Sequence, residues 1–230
     1  MAVSGSTDFA LNANQIIAAA FKKLGVGTEG EALTAAQYED GRLALNLLIK
    51  TWGAQPHLWT QTEAWLPYVA GQSGYALNAA MRVLSVRRRL TSGTIDTPMT
   101  PLSRQEYFDL PNKTTQAVPV NYYFDPQYNT STLYVWPTAS AATAAAGDLR
   151  ITYLRRMCDM DTTTDDLDMP QEWLEAVIYN LAVRLMPTYP VNDPNIAARV
   201  ESMAGQLYAA LKGWDNETTS LFLQPDNRWC

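Results

Sequence analysis

Residues 118–137 read VPVNYYFDPQYNTSTLYVWP, and the fold turns on how this stretch is read. Val120, Tyr122 and Phe124 recur at every second position, the period of a strand with one buried face. Asp125-Pro126 turns the chain, and Leu133 and Val135 answer on a returning strand. The same signal extends in both directions. Residues 58–69, 76–77 and 82–90 upstream read as strands, as do 149–154 downstream, where Leu149, Ile151 and Tyr153 alternate. Residues 103–110 predict a short helix within the segment, and the Ala-Thr-Ser run 139–146 predicts a solvent-facing loop between two strands. The middle of the chain is therefore expected to be a small antiparallel β domain.

The period changes at both ends. Ile16, Ile17, Ala20, Phe21 and Leu24 share one helical face, which predicts a helix over 13–24. Asn12 and Gln15 form a capping box, Leu11 can staple to Ile16, and Gly25 is the stop. Thr34 and Gln37 repeat the box ahead of a helix over 35–52, with Leu45, Leu48, Ile49 and Trp52 as its buried stripe. Beyond Pro170, Trp173, Val177, Leu181 and Leu185 recur every four residues, with Asp168 as the expected cap. Asp193-Pro194 opens a last helix with the stripe Ile196, Val200, Met203, Leu207, Leu211 and Trp214. Residues 218–230 have no period and read as an extended arm.

The expected class is α+β. The N- and C-terminal helix pairs form a four-helix bundle, because neither pair can bury its stripe alone. The antiparallel β domain is inserted between them. The corresponding domains are 1–57 with 158–217 (the discontinuous helical bundle), 58–157 (the β insertion) and 218–230 (the C-terminal arm).

Composition narrows the function. A chain of 230 residues with 47% hydrophobic residues has a real core and is not disordered. The longest clean apolar run, residues 16–21, is far below the roughly 20 that a membrane helix needs. The first ten residues carry no basic residue and no long apolar core, so no secretory leader is expected. Cys158 and Cys230 are too few for a disulfide scaffold and are expected to be thiols of a reducing compartment. Net charge is −6, with residues 1–79 at −2, 80–157 at +4 and 158–230 at −8. An acidic chain is a poor grip for nucleic acid and suits a surface that nucleic acid passes without sticking.

Each chemical motif has a plainer reading. Gly25-Val26-Gly27-Thr28-Glu29-Gly30 matches G-x-G-x-x-G, but it follows a helix where a dinucleotide site needs a strand; it reads as a helix stop and loop. Asp159, Asp161, Asp165, Asp166 and Asp168 crowd one loop. A calcium loop would need glycine where Asp166 stands, so these acids are expected to serve the following helix and its dipole. His57 is the only histidine, and its place in a loop between Pro56 and Leu58 predicts a surface position. Glu172 and Glu175 are neighbours on one helix face and cannot straddle a glycosidic bond. Tyr122, Tyr123, Phe124, Tyr128, Tyr134 and Trp136 are placed for cross-strand packing more than for stacking bases or sugars. Arg87, Arg88 and Arg89 put two guanidiniums on one side of a strand and one on the other. They can touch phosphate, pair with acids on a neighbouring chain, or be solvated edge-strand charge. No active site, cofactor site or metal site is expected.

Three groups of residues together resemble the head-to-tail adaptor family of short-tailed bacteriophages, also called tail accessory or tail tubular A-like proteins. They are Ala20-Phe21-Lys22-Lys23-Leu24-Gly25-Val26 with Leu45-Asn46-Leu47-Leu48 and Trp52; Tyr123-Phe124-Asp125-Pro126-Gln127 with Leu133-Tyr134-Val135-Trp136-Pro137; and Asp165, Asp168, Pro170, Glu172-Trp173 and Leu181-Ala182. The resemblance implies a helical bundle with a β insertion. It implies a non-enzymatic virion protein made in the host cytoplasm, forming a dodecameric ring under the portal at the capsid–tail junction. Such a ring extends the channel through which phage DNA passes without specific binding, and it receives the tail nozzle and the fibres or spikes. It implies no membrane contact and no cofactor. By analogy, Leu221, Phe222, Leu223 and Trp229 of the arm are the expected portal contacts, with Arg87, Arg88 and Arg89 as contacts to neighbouring subunits or tail proteins. Two other functions stay open: a peptidoglycan hydrolase of genome entry using Glu172 or Asp168, and a glycan-binding tail module built on the aromatic β domain.

Overall fold

Local signals set the first two helices. The computed structural model describes residues 5–27, 31–90, 95–128 and 130–215. Helix α1 (Ala13–Lys23) begins with both halves of its capping box: Gln15 N–H donates to Asn12 Oδ1, and Asn12 N–H to Gln15 Oε1. It stops at Leu24, ahead of Gly25 with φ +79°. Helix α2 (Ala35–Gly53) opens with the same box from Thr34 and Gln37. A 3-10 turn over Leu58–Thr60 then leads into strands β1 (Gln61–Pro67), β2 (Gly74–Ala76), β3 (Ala80–Leu90), β4 (Asp96–Pro98) and β5 (Thr100–Pro101). Helix α3 (Arg104–Phe108) is capped by Ser103 and Glu106 and precedes β6 (Gln116–Ala117), β7 (Asn121–Asp125), β8 (Thr132–Trp136) and β9 (Thr138–Ala139). Helix α4 (Ala141–Ala146), β10 (Gly147–Arg155), α5 (Leu174–Leu185) and α6 (Pro194–Trp214) complete the order. The chain is mixed α+β, and among the described residues it has six α-helices.

Two compact units divide it. One takes the described residues up to Leu48 and from Met160 onward, and the other is Ile49–Asp159.

The second unit is built from two four-stranded sheets, β1-β10-β3-β4 and β2-β8-β7-β5, with β6 and β9 paired alongside. Pairing is antiparallel except for the two-residue pairs β5–β7 and β6–β9. The sheets share one core. Leu149, Ile151 and Tyr153 of β10 and Val86 of β3 face Tyr122 of β7, Leu133 and Val135 of β8 and Tyr75 of β2. Each such aliphatic side chain, when fully buried, contributes about 1.5–3 kcal/mol. On the other face of the second sheet, Tyr123 and Tyr134 sit opposite each other and stack at 6.0 Å. Tyr107 of α3 lies 5.1 Å from both, and Trp136 Nε1 donates to the Asn112 carbonyl. The aromatic cluster is therefore packing, with Tyr128 left 85% exposed.

In the first unit, α1 packs on α5 and α5 on α6. Ile16, Ile17 and Phe21 are fully buried, as are Leu45, Trp173, Val177 and Leu181. Asn180 Nδ2 ties α5 to α6 through the Ala204 carbonyl at 3.1 Å, and Asn46 exchanges two hydrogen bonds with the Met160 backbone.

Several expectations need correction. Residues 141–146 form a helix, where a loop was expected, because alanine has the highest helix propensity and Ser140 caps the run. The expected strand over 58–69 begins with the 3-10 turn, and 118–120 lie outside β7. Asp168 is not the expected cap: a 3-10 turn over Gln171–Trp173 starts from Pro170. Of the α6 stripe only Val200 is buried, while Ile196 and Trp214 are 46% and 70% exposed.

Gly41 of α2 marks a close approach. A Cβ there would lie 2.5 Å from Ile17 Cγ2, whereas one at Gly205 of α6 would meet nothing within 4 Å. In urea unfolding, Gly41→Ala is expected to lose about 1–3 kcal/mol by overpacking. Gly205→Ala is expected to gain about 0.5–1 kcal/mol from helix propensity alone.

Candidate functional site

The arginine run lies on β3, an inner strand flanked by β10 and β4, so it is not edge-strand charge. Register explains the rest. Trp65, Arg150 and Arg87 form one row across the outer face of their sheet, and Pro67, Asp148, Arg89 and Asp96 form another. Arg87 donates to Glu63 Oε1 at 3.1 Å and to Thr152 Oγ1 at 3.0 Å. Arg89 holds Asp96 by two bonds of 2.6 Å, and Arg150 holds Asp148 by two of 3.0 Å. The Arg150 guanidinium lies 4.1 Å from the centroid of the Trp65 ring, which is 66% exposed. Three arginines interleave with three acids, so this face is charge-balanced and offers no cationic patch to phosphate.

Arg88 points the other way. With Tyr68, Leu90, Val118 and the α4 residues Ala142, Thr143 and Ala146 it lines a groove of about 440 Å³. Leu90 and Val118 are half exposed. Arg88 makes no ion pair among the described residues. Burial pushes the Tyr68 hydroxyl well above the usual tyrosine range, a shift that the nearby Arg88 charge partly opposes. The hydroxyl is buried without a hydrogen-bond partner. An apolar groove with one unpaired cation suits an apolar segment that carries a carboxylate.

The other candidates have structural roles. His57 is buried, against expectation: its Nε2 lies 3.1 Å from the Trp52 carbonyl and its ring stacks on Trp59 at 4.3 Å. Gly25 and Gly27 have positive φ at the end of α1, and residues 28–30 lie outside the described residues. The Asp loop serves the first helix more than the following one: Ala13 N–H donates to the Asp165 carbonyl and Asn14 N–H to that of Thr163. The Asp165 carboxylate accepts from the Thr162 hydroxyl and from the Thr162 and Asp161 N–H groups, which hold it below the usual carboxylate range. Among the described residues no group of three or more His, Cys, Asp or Glu side chains could hold a metal, and no helix is long and apolar enough to cross a membrane. Glu172 and Glu175 are exposed neighbours. Leu221, Phe222, Leu223 and Trp229 lie outside the described residues. Sequence reasoning missed Trp65 and Tyr68. The exposure of alternate β1 residues (Gln61, Glu63, Trp65, Pro67) is a period-two signal that would have found Trp65.

Comparison with known proteins gives a family match across most of the chain. The family model described as SU10 adaptor protein matches residues 12–224. Among solved structures, a chain from the neck of an empty GTA particle, computed with C6 symmetry, is similar at 14% identity and a TM-score of 0.31, over 76% of this chain and 81% of that one. No curated protein matches.

The Arg89–Asp96 pair makes the β unit sensitive to pH. Asp96 is held below the usual carboxylate range by its hydrogen bonds to Arg89. Such a group stabilises the folded state above its unfolded pKa, and the contribution is lost as pH falls through the lowered folded value. Asp96→Asn is therefore expected to lower the melting temperature at pH 7. The gap to wild type should close as the pH is taken below about 4, as read by circular dichroism.

Proposed function

Since the chain belongs to the SU10 adaptor protein family, we propose that it is the ring-forming adaptor between the portal and the tail of a phage particle. The family model spans nearly the whole chain, and this single observation carries a structural role at the head-to-tail junction. The finer reading is that twelve copies dock under the portal as a ring, extend the DNA channel and receive the tail nozzle and the fibres or spikes. DNA passes through without specific binding, in keeping with a net charge of −6. The protein acts as a scaffold and not as an enzyme, and is made in the host cytoplasm before joining the virion.

Roles for particular regions follow from this reading. The N- and C-terminal helix pairs form a four-helix bundle as the ring body (residues 1–57 and 158–217), with 58–157 as the inserted β domain. Residues 218–230 form an arm in which Leu221, Phe222, Leu223 and Trp229 contact the portal. Arg87, Arg88 and Arg89 serve the contact to a neighbouring subunit or tail protein, Arg88 directly through its groove and the other two by holding the Trp65 face in shape.

Light scattering of the chain alone and with its cognate portal tests the reading. The expected result is a portal-dependent shift to one large stoichiometric complex. A monomer in every mixture would overturn it. Removal of residues 218–230 is expected to weaken portal binding while leaving the melting temperature within about 1 °C of the full chain, since chain ends are where change is best tolerated.

A further inference from the structure

Helix α1 carries opposite charge at its two ends. At its C-terminal end Lys22, Lys23 and Leu24 join Tyr179 of α5 and Ile196, Arg199, Val200 and Met203 of α6 around a groove of about 350 Å³. The floor is apolar, and the rim has three cations. None of the three makes an ion pair among the described residues; Lys23 lies over the Tyr179 ring at 4.8 Å. At its N-terminal end the loop of residues 161–168 is anchored by Ala13 and Asn14, with Asp161 and Asp166 exposed and Leu167 half-buried beside them.

The helix dipole accounts for part of this pattern. It favours Lys22 and Lys23 at the C-terminus of α1 and acids at its N-terminus. It does not account for Arg199, which lies in the N-terminal half of α6, where that field gives a cation no stabilisation. The groove is thus more basic than its helices require, in a chain whose last third is strongly acidic.

We propose that the groove of Lys22, Lys23 and Arg199 receives the acidic loop of a second copy, with Asp161 and Asp166 meeting the cations and Leu167 meeting the apolar floor. This rests on the ring reading above and names the contact that closes the ring. Eleven residues of helix separate the two surfaces by roughly 16 Å, so they cannot meet within one copy. A patch at one end that fits a different patch at the other makes a heterologous contact, the kind that generates rings when the rotation closes. Exposed ion pairs alone contribute little. The contact therefore needs the apolar area that Ile196 and Met203 expose above the buried Leu24 and Val200, and the charges set its register and direction.

Charge reversal with mixing tests it. One full-length variant carries Lys22→Glu, Lys23→Glu and Arg199→Glu; the other carries Asp161→Lys and Asp166→Lys. Circular dichroism checks that each folds. Each alone, with the cognate portal, is expected to lose the ring species seen for wild type by light scattering. An equimolar mixture is expected to restore it, because reversed grooves then meet reversed loops around an alternating ring, which misfolded chains could not do. A wild-type ring that either variant rebuilds alone would overturn this contact and leave the ring reading intact. Folded variants that fail to assemble even when mixed would assign the groove to the portal or to the chain's own residues 216–230, and would also overturn it. A wild-type chain that never leaves the monomer would overturn the ring reading itself.

Discussion

Strand β10 is hydrogen-bonded along both edges, to β1 and to β3, while its side chains alternate between core and surface. Leu149, Ile151 and Tyr153 enter the core; Asp148, Arg150 and Thr152 stay outside. A slip of one residue against either neighbour would put Arg150 between the sheets and Ile151 in water, so burial excludes it. The outer face inherits its chemistry from that register. Arg150 and Arg87 stand directly opposite each other, an unfavourable like-charge pair. It is offset by Asp148 on one, Glu63 on the other and the Trp65 ring beneath the Arg150 guanidinium. Gly147 closes the arrangement where the chain leaves α4, because a Cβ there would lie 2.4 Å from the Arg89 carbonyl oxygen.

What was legible in the sequence was local or periodic. The capping boxes at Asn12 and Thr34 are decided within four residues, and the structure forms both. The β7–β8 hairpin needs only its own alternation and a turn. The strands of two or three residues, β2, β4, β5, β6 and β9, have too few positions to carry a period. Helix α4 is too short to stand alone and depends on Ser140 and on its place before β10. The burial of His57 rests on the Trp52 carbonyl and the Trp59 ring, neither of which its immediate neighbours Pro56 and Leu58 announce. The acids that pair with Arg87, Arg89 and Arg150 stand 24, 7 and 2 residues from their partners, and only the nearest was within reach of a sequence window. The stripe on α6 shows which face is apolar and nothing about what covers it, which is why Ile196 and Trp214 emerge exposed.

The acidic loop teaches the same lesson about direction. Five aspartates ahead of a helix invite a reading in which they stabilise the helix that follows. Instead, backbone carbonyls of the loop take the first N–H groups of α1, about 150 residues earlier, which would otherwise lack partners. Asp165 is spent on holding the loop in the shape that presents those carbonyls. Asp161 and Asp166 are exposed on either side of it.

A subunit of a structural junction works through its faces, and the described residues sort its charges accordingly. Cations with a structural task are matched inside the chain: Arg87, Arg89 and Arg150 by carboxylates, Lys50 by Asp159, Lys113 by backbone carbonyls. Lys22, Lys23, Arg88 and Arg199 are not matched, and each borders an apolar groove. Full burial of an unpaired cation would be prohibitive, so these groups stay at the rims, where an incoming carboxylate can meet them without first displacing an internal partner. A chain with only 17% charged residues has few cations to leave unpaired. Four of them border two apolar grooves, the surfaces that the proposed contacts with other chains would use.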